Sequence, residues 1–131
     1  MKEDFVPFEI AMKLKEKGFR YNTSYWYNQY GTLLDKDEND RKCKNSVLTN
    51  DKSYGVDAPT IAQVLKWLRK ENAIHIDVVL WNKGWYCDVW LFEYYEEEGE
   101  YSAKKPYQSK DYKSYEQAAI AGIEYALDNL I

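Results

Sequence analysis

Apolar and polar positions recur along this chain with two different periods, and the switches between them divide it into elements. From Val6 to Lys17, Val6, Ile10 and Leu14 fall on one stripe with Ala11 beside it, while Glu9, Lys13, Glu16 and Lys17 take the other side. That spacing predicts an amphipathic surface helix, with Pro7 suited to its first position and Gly18 to its stop. Glu9 and Lys13 add an i,i+4 ion pair in the favourable order. Residues 19–30 then switch to period two. Phe19, Tyr21, Thr23, Tyr25 and Tyr27 form one set, and Arg20, Asn22, Ser24, Trp26 and Asn28 the other. The tyrosine-rich set reads as the helix-facing wall of a strand. Gly31 permits a turn, and Thr32 to Leu34 a short return strand.

Residues 35–57 form a long polar connection in which "SVLT" is the one strand-like stretch. The next helix is clearer. In "APTIAQVLKWLRKEN", Thr60 and Gln63 make a capping box, Ile61, Val64, Leu65 and Leu68 a buried stripe, and Trp67 its edge. Lys66, Arg69 and Lys70 suit the C-terminal end of the helix dipole. "IHIDVVLWN" and "WYCDVWLFEYY" then alternate strictly about "NKG", which predicts a β-hairpin. Two cues to its register conflict. A three-residue loop with Gly84 left-handed is good turn chemistry. Matching the apolar sides instead needs an even loop, with Leu80 opposite Cys87 and Val78 opposite Val89. A single buried face is the stronger constraint, so the even loop is expected.

"EEEGE" is an acidic turn leading to a further strand near Tyr101 to Tyr107. Ser114 and Gln117 open a last helix with a second capping box, and Ala119, Ile123, Ala126, Leu127 and Leu130 form its core stripe. No parallel βαβ alternation occurs. The pattern predicts one α+β domain over residues 1–131, with three helices and an antiparallel sheet of about four to five strands. The order is helix, strands, helix, hairpin with a third strand, helix.

The hairpin has a second consequence. If Ile74, Ile76, Val78, Leu80, Cys87, Val89 and Leu91 face the helices, the other side carries Val79, Trp81, Tyr86, Trp90 and Phe92, with His75, Asp77 and Asp88 among them. That is too apolar for an ordinary solvated sheet face. Trp81 and Trp90 are the expected anchors of an interaction surface, with Tyr86 and Phe92 around them. Trp26 joins them if its strand is a neighbour.

Composition narrows the function classes. The 131 residues are 45% hydrophobic and 31% charged, with nine Gly and Pro together, which is a folded globular composition. A net charge of −4 disfavours nucleic acid as partner. Cys43 and Cys87 have no metal-type spacing and suit free thiols in a reducing compartment. No signal-peptide core and no stretch of membrane-spanning length occurs, so a cytoplasmic protein is expected.

Catalytic motifs are sparse. Asp35, Asp37 and Asn39 match the first positions of a calcium loop, but Asp40 stands where glycine is needed and Ser46 where the chelating glutamate belongs. A solvated charged loop is the better reading, and no metal or cofactor is expected. His75, the one histidine, shares a strand face with Asp77, but Cys87 falls on the opposite face and no nucleophile motif accompanies the couple. Without a convergent constellation, a non-enzyme is expected. The acidic run Glu96 to Glu100 and the basic run Lys104 to Lys113 read as a solvated hairpin, with nucleic-acid mimicry a minor option at this net charge.

The phrases "VPFEIAMKLKEKGF", "APTIAQVLKWLRKENAIHIDV" and "SYEQAAIAGIEYALDNLI" resemble a group of short proteins of unassigned function, frequent in gut Bacteroidetes genomes and in their phages and other mobile elements. The resemblance covers both ends and the middle and is poorest over residues 21–55. It implies a cytoplasmic accessory protein of phage or mobile-element origin and transfers no functional residue. The expectation is a small protein-interaction module, docking a partner or a second copy through its aromatic face. The alternative is a binder of a sugar or nucleobase stacked on that face.

Overall fold

A computed structural model describes residues 4–36 and 55–131. The "SVLT" stretch, Cys43 and most of the calcium-like loop lie outside the described residues. The chain forms two compact units, Met1–Gln63 and Val64–Ile131.

In the first unit, helix α1 (Phe8–Glu16) begins one residue later than the sequence suggests. Pro7 is its N-cap, extended and without a side-chain bond. Ile10, Ala11 and Leu14 are its buried side. At its end Phe19 N–H donates to Leu14 O and Gly18 N–H to Lys15 O, with Gly18 at φ +90°. That paired arrangement needs a residue free to turn left-handed after the last turn, which glycine supplies.

The β-type stretch after it yields only three residues of strand, β1 (Tyr25–Tyr27). Its neighbours are β2 (Leu33–Asp35) and β3 (Val56–Asp57), both antiparallel, in the order β2-β1-β3. Just before β1, Ser24 O still accepts from Lys36 N–H, whereas Asn22 O accepts from the Gln63 side-chain amide at 2.8 Å, and Thr23 Oγ1 donates to Tyr25 O. Phe19, Thr23 and Tyr27 are buried and Tyr21 and Tyr25 half-buried, so the tyrosine set does form a wall. Tyr27 closes it by donating its hydroxyl to Val6 O. The Thr60 capping box forms in both directions: Gln63 N–H donates to Thr60 Oγ1 at 3.1 Å, and Thr60 N–H to Gln63 Oε1 at 2.9 Å. It opens helix α2 (Ile61–Asn72).

The second unit is built on β4 (Ile74–Trp81), β5 (Gly84–Tyr95) and β6 (Glu100–Gln108), in the order β4-β5-β6. Among the described residues, the expectation of one sheet of four to five strands is therefore corrected to two three-stranded antiparallel sheets. Both edges of the short β1 are taken by β2 and β3, so neither is open to β4, β5 or β6. The hairpin loop is even, as face matching requires, but two residues shorter than the expected pairing. Ile76 lies opposite Val89, Val78 opposite Cys87 and Leu80 opposite Trp85. A shift of two keeps every side chain on its face. Gly84 has a positive φ of +129°, as a glycine there was expected to, but it starts β5 and does not lie inside the turn. A Cβ there would lie 2.5 Å from Tyr112 O, the acceptor of the Trp85 N–H.

Helix α3 (Tyr115–Asn129) covers one face of this sheet. Ser114 accepts from Gln117 N–H, while Gln117 Oε1 reaches back to Lys113 N–H and not to Ser114, so this second box is shifted by one residue. Ala118, Ala119, Ile123, Ala126 and Leu127 are buried, as are Ile74, Ile76, Cys87 and Val89 on the sheet. At Gly122 a Cβ would come within 2.8 Å of Ile76 Cγ2 and 3.0 Å of Cys87 Sγ, so the missing side chain sets how closely helix and sheet approach. Tyr107 stacks on Tyr125 at 4.2 Å. Leu80 belongs to the same row yet is 62% exposed, where the core was expected to continue. Among the described residues, no helix is long and apolar enough to cross a membrane.

Candidate aromatic docking face

The side of the β4-β5-β6 sheet turned away from α3 carries the candidate site. Period two along each strand puts His75, Asp77, Val79 and Trp81 there from β4, and Tyr86, Asp88, Trp90, Phe92 and Tyr94 from β5. The pairing with β6 adds Tyr101, opposite Tyr94, and Ala103, opposite Phe92. None of these side chains is buried. Trp81 is 44% exposed and Tyr101 69%, while Tyr86, Trp90 and Phe92 are half-buried. Where α3 lies on it, the sheet thus has a buried side at Ile74, Ile76, Cys87 and Val89 and an aromatic side opposite.

Neighbouring rings hold one another in edge-on or tilted geometries that suit aromatic quadrupoles. Trp81 meets Tyr86 at 6.1 Å, Phe92 meets Tyr101 at 6.0 Å, and Tyr94 meets Tyr101 at 4.8 Å. Trp81 is also tethered, its Nε1 donating to Asp111 Oδ1 at 2.8 Å. Cations sit on two of the rings, Lys83 over Trp81 and Lys105 over Trp90. Lys105 owes its place to a bulge. Between the Val89–Tyr107 and Leu91–Lys104 pairs the register slips by one, so Lys105 and Pro106 share the space opposite Trp90. Proline lacks the N–H a regular ladder would use there, and an edge-strand bulge accommodates it.

Asp77 and Asp88 face each other across β4 and β5. Two carboxylates in that position repel, and Lys105 offsets the repulsion from 3.4 Å on Asp88. At that length the contact is an ion pair and not a hydrogen bond, and Asp88 Oδ1 accepts no hydrogen bond among the described residues. His75 lies opposite Trp90 and, with Arg69 of α2, Phe92, Tyr101 and Ala103, lines an open groove of about 380 Å³.

Of the five residues expected from sequence, Trp81, Tyr86, Trp90 and Phe92 lie together on this face. Trp26 lies elsewhere. It belongs to β1 in the other sheet, and its strand is not a neighbour of β4, β5 or β6. Only 7% of it is exposed, and a Cβ at Gly55 would lie 2.8 Å from its ring. Close packing against glycine makes it a core residue, so it is withdrawn from the surface set. Tyr94, Tyr101 and Lys105 are the members that sequence reading missed. Tyr94 follows from the alternation that found Phe92, whereas Tyr101 and Lys105 depend on the β5–β6 register and its bulge.

His75 and Asp77 are both exposed on the aromatic face, and no hydrogen bond joins them. Cys87 lies buried on the opposite face, where burial pushes its thiol above the ordinary range. Among the described residues, no group of three or more His, Cys, Asp or Glu is placed to hold a metal ion. Comparison of the chain with protein-family models, curated proteins and solved structures gives no match.

Proposed function

We propose that this chain is a small cytoplasmic protein-interaction module, an accessory protein of phage or mobile-element origin, that docks a protein partner through the aromatic face of β4-β5-β6. One observation carries this reading: four large aromatic side chains, Trp81, Tyr86, Trp90 and Phe92, line one sheet face and none is buried. Large solvated aromatic patches raise the free energy of an isolated protein and mark docking surfaces, where Trp and Tyr contribute most. Trp81 and Trp90 act as anchors, held by Asp111 and Lys105 before any partner arrives. Such pre-ordering lowers the entropy cost of binding.

A second reading has its own observation, the groove lined by Arg69, His75, Trp90, Phe92, Tyr101 and Ala103. Its volume of about 380 Å³ admits a sugar or nucleobase stacked on Trp90. Its open shape favours a protein surface over an enclosed small molecule.

Affinity capture from the native lysate, with the folded protein and its Trp81→Ser and Trp90→Ser variants, tests the first reading. A specific partner should be retained by the parent protein and lost by both variants. Equal retention by all three proteins sinks the docking face. Saturable quenching of tryptophan fluorescence by a monosaccharide or nucleoside, abolished in Trp90→Ser, would move the function to the second reading.

A further inference from the structure

The end of β5 and the start of β6 leave the three-stranded sheet. β4 begins at Ile74, opposite Leu91, and Phe92 N–H still donates to Ala73 O, so the three cross-strand pairs from Glu93–Ser102 to Tyr95–Glu100 form a ribbon of two strands only. At the usual rise it extends roughly 10 Å beyond Phe92 and ends in the turn 96–99. A two-stranded ribbon contributes little stability of its own. Folding therefore leaves its composition unexplained. Residues 92–103 contain Phe92, Tyr94, Tyr95 and Tyr101 and five glutamates (Glu93, Glu96, Glu97, Glu98 and Glu100), with no lysine or arginine. Tyr94 is 53% exposed, Tyr95 45% and Tyr101 69%. All five glutamates are exposed. Tyr101 meets both Phe92 and Tyr94 on the side that continues the aromatic face.

We infer that this ribbon is a docking arm for a basic protein segment, whose arginine or lysine side chains stack on Tyr94 and Tyr101 while the turn glutamates Glu96, Glu97 and Glu98 take the remaining positive charge. This inference rests on the docking-face reading and names the chemistry of the partner. Charge decides the class. Five glutamates outweigh Arg69, which lines the groove beside Phe92 and Tyr101, so the arm repels phosphate and an anionic membrane surface alike and attracts a cationic chain. Guanidinium groups suit the combination best, since they stack on tyrosine and pair with carboxylate at once. The length of the ribbon and its open sides fit an extended segment and not a small cation. Within the same hairpin, Lys104 and Lys105 begin only where the three-stranded part resumes, so the arm and the sheet face differ in charge.

The test uses the full chain and a short oligo-arginine peptide as probe, with oligo-glutamate as the reverse-charge control. Backbone amide shifts are followed by NMR at low and raised salt. Saturable shifts confined to residues 92–103 and weakened by salt are expected with oligo-arginine and absent with oligo-glutamate. Replacing Glu96, Glu97 and Glu98 together by Gln should weaken binding about tenfold, the combined scale of three surface charges. Tyr101→Ser, at a position too exposed to endanger the fold, should weaken it as well. Shifts spread equally over Glu71, Glu124 and Asp128, or binding indifferent to Tyr101→Ser, would show mere attraction to an acidic protein and overturn the inference. Should a captured partner depend on Trp90 but survive both salt and the glutamine substitutions, the docking face would stand and the basic arm partner would fall.

Discussion

Lys105 holds its ammonium 5.7 Å from the centre of the Trp90 ring and 3.4 Å from the Asp88 carboxylate. One cation thus fixes an anchor of the docking face and offsets the repulsion between Asp77 and Asp88. The Asp88 side chain is only 13% exposed, so water can replace little of what Lys105 provides. Lys105→Met should cost about 1–2 kcal/mol, the lower part of the range for stranding a buried polar group, because Lys105 itself is partly solvated. Asp88→Asn in the same chain should recover part of the loss. A double-mutant cycle in urea checks it, and zero coupling would mean that the pair is ornamental.

Gly122 decides how closely α3 lies on the sheet. On an open helix surface Gly→Ala stabilises by about 1 kcal/mol through propensity. Here the added methyl would meet Ile76 Cγ2 at 2.8 Å in a filled core, and overpacking costs about 1–3 kcal/mol. Gly122→Ala should therefore leave the protein less stable, with a lower melting temperature. A rise in melting temperature would show that the helix can move away without loss.

Cys87 couples stability to alkaline pH. Burial raises its thiol pKa, the Ser109 hydrogen bonds pull it partly back, and the charge of Asp88 pushes it up again. The folded thiol keeps its proton to higher pH than the unfolded one. Its contribution is whole below the unfolded value and falls as pH rises from about 8.5 through the folded value. Urea midpoints should drop over that window more steeply in the parent protein than in Cys87→Ala. The comparison is one of slopes, because Tyr27 and Tyr107, also raised chiefly by burial, contribute to both proteins at still higher pH. Parallel slopes would remove the thiol from the pH response.

The sequence by itself determined the local chemistry of this protein. Helix starts were legible because a capping box is a short-range hydrogen-bonding pattern, and Thr60 with Gln63 forms it in full. Strand faces were legible because alternate side chains must point to opposite sides, so Trp81, Tyr86, Trp90 and Phe92 could be grouped with no knowledge of what lay beyond them. Only the tertiary structure decided which groups meet over distance. It placed Trp26 in a separate sheet and buried it against Gly55, although its alternation set is otherwise polar. It drew Lys105 onto the aromatic face through a bulge that no period reveals. It also laid α3 on the Ile76 and Cys87 side, where Gly122 lets it come close, and so left the aromatic side to solvent. The physical reason is the range of the interactions. Backbone geometry dictates which side chains share a face within a few residues, whereas coverage of that face is settled by packing between segments far apart in the chain.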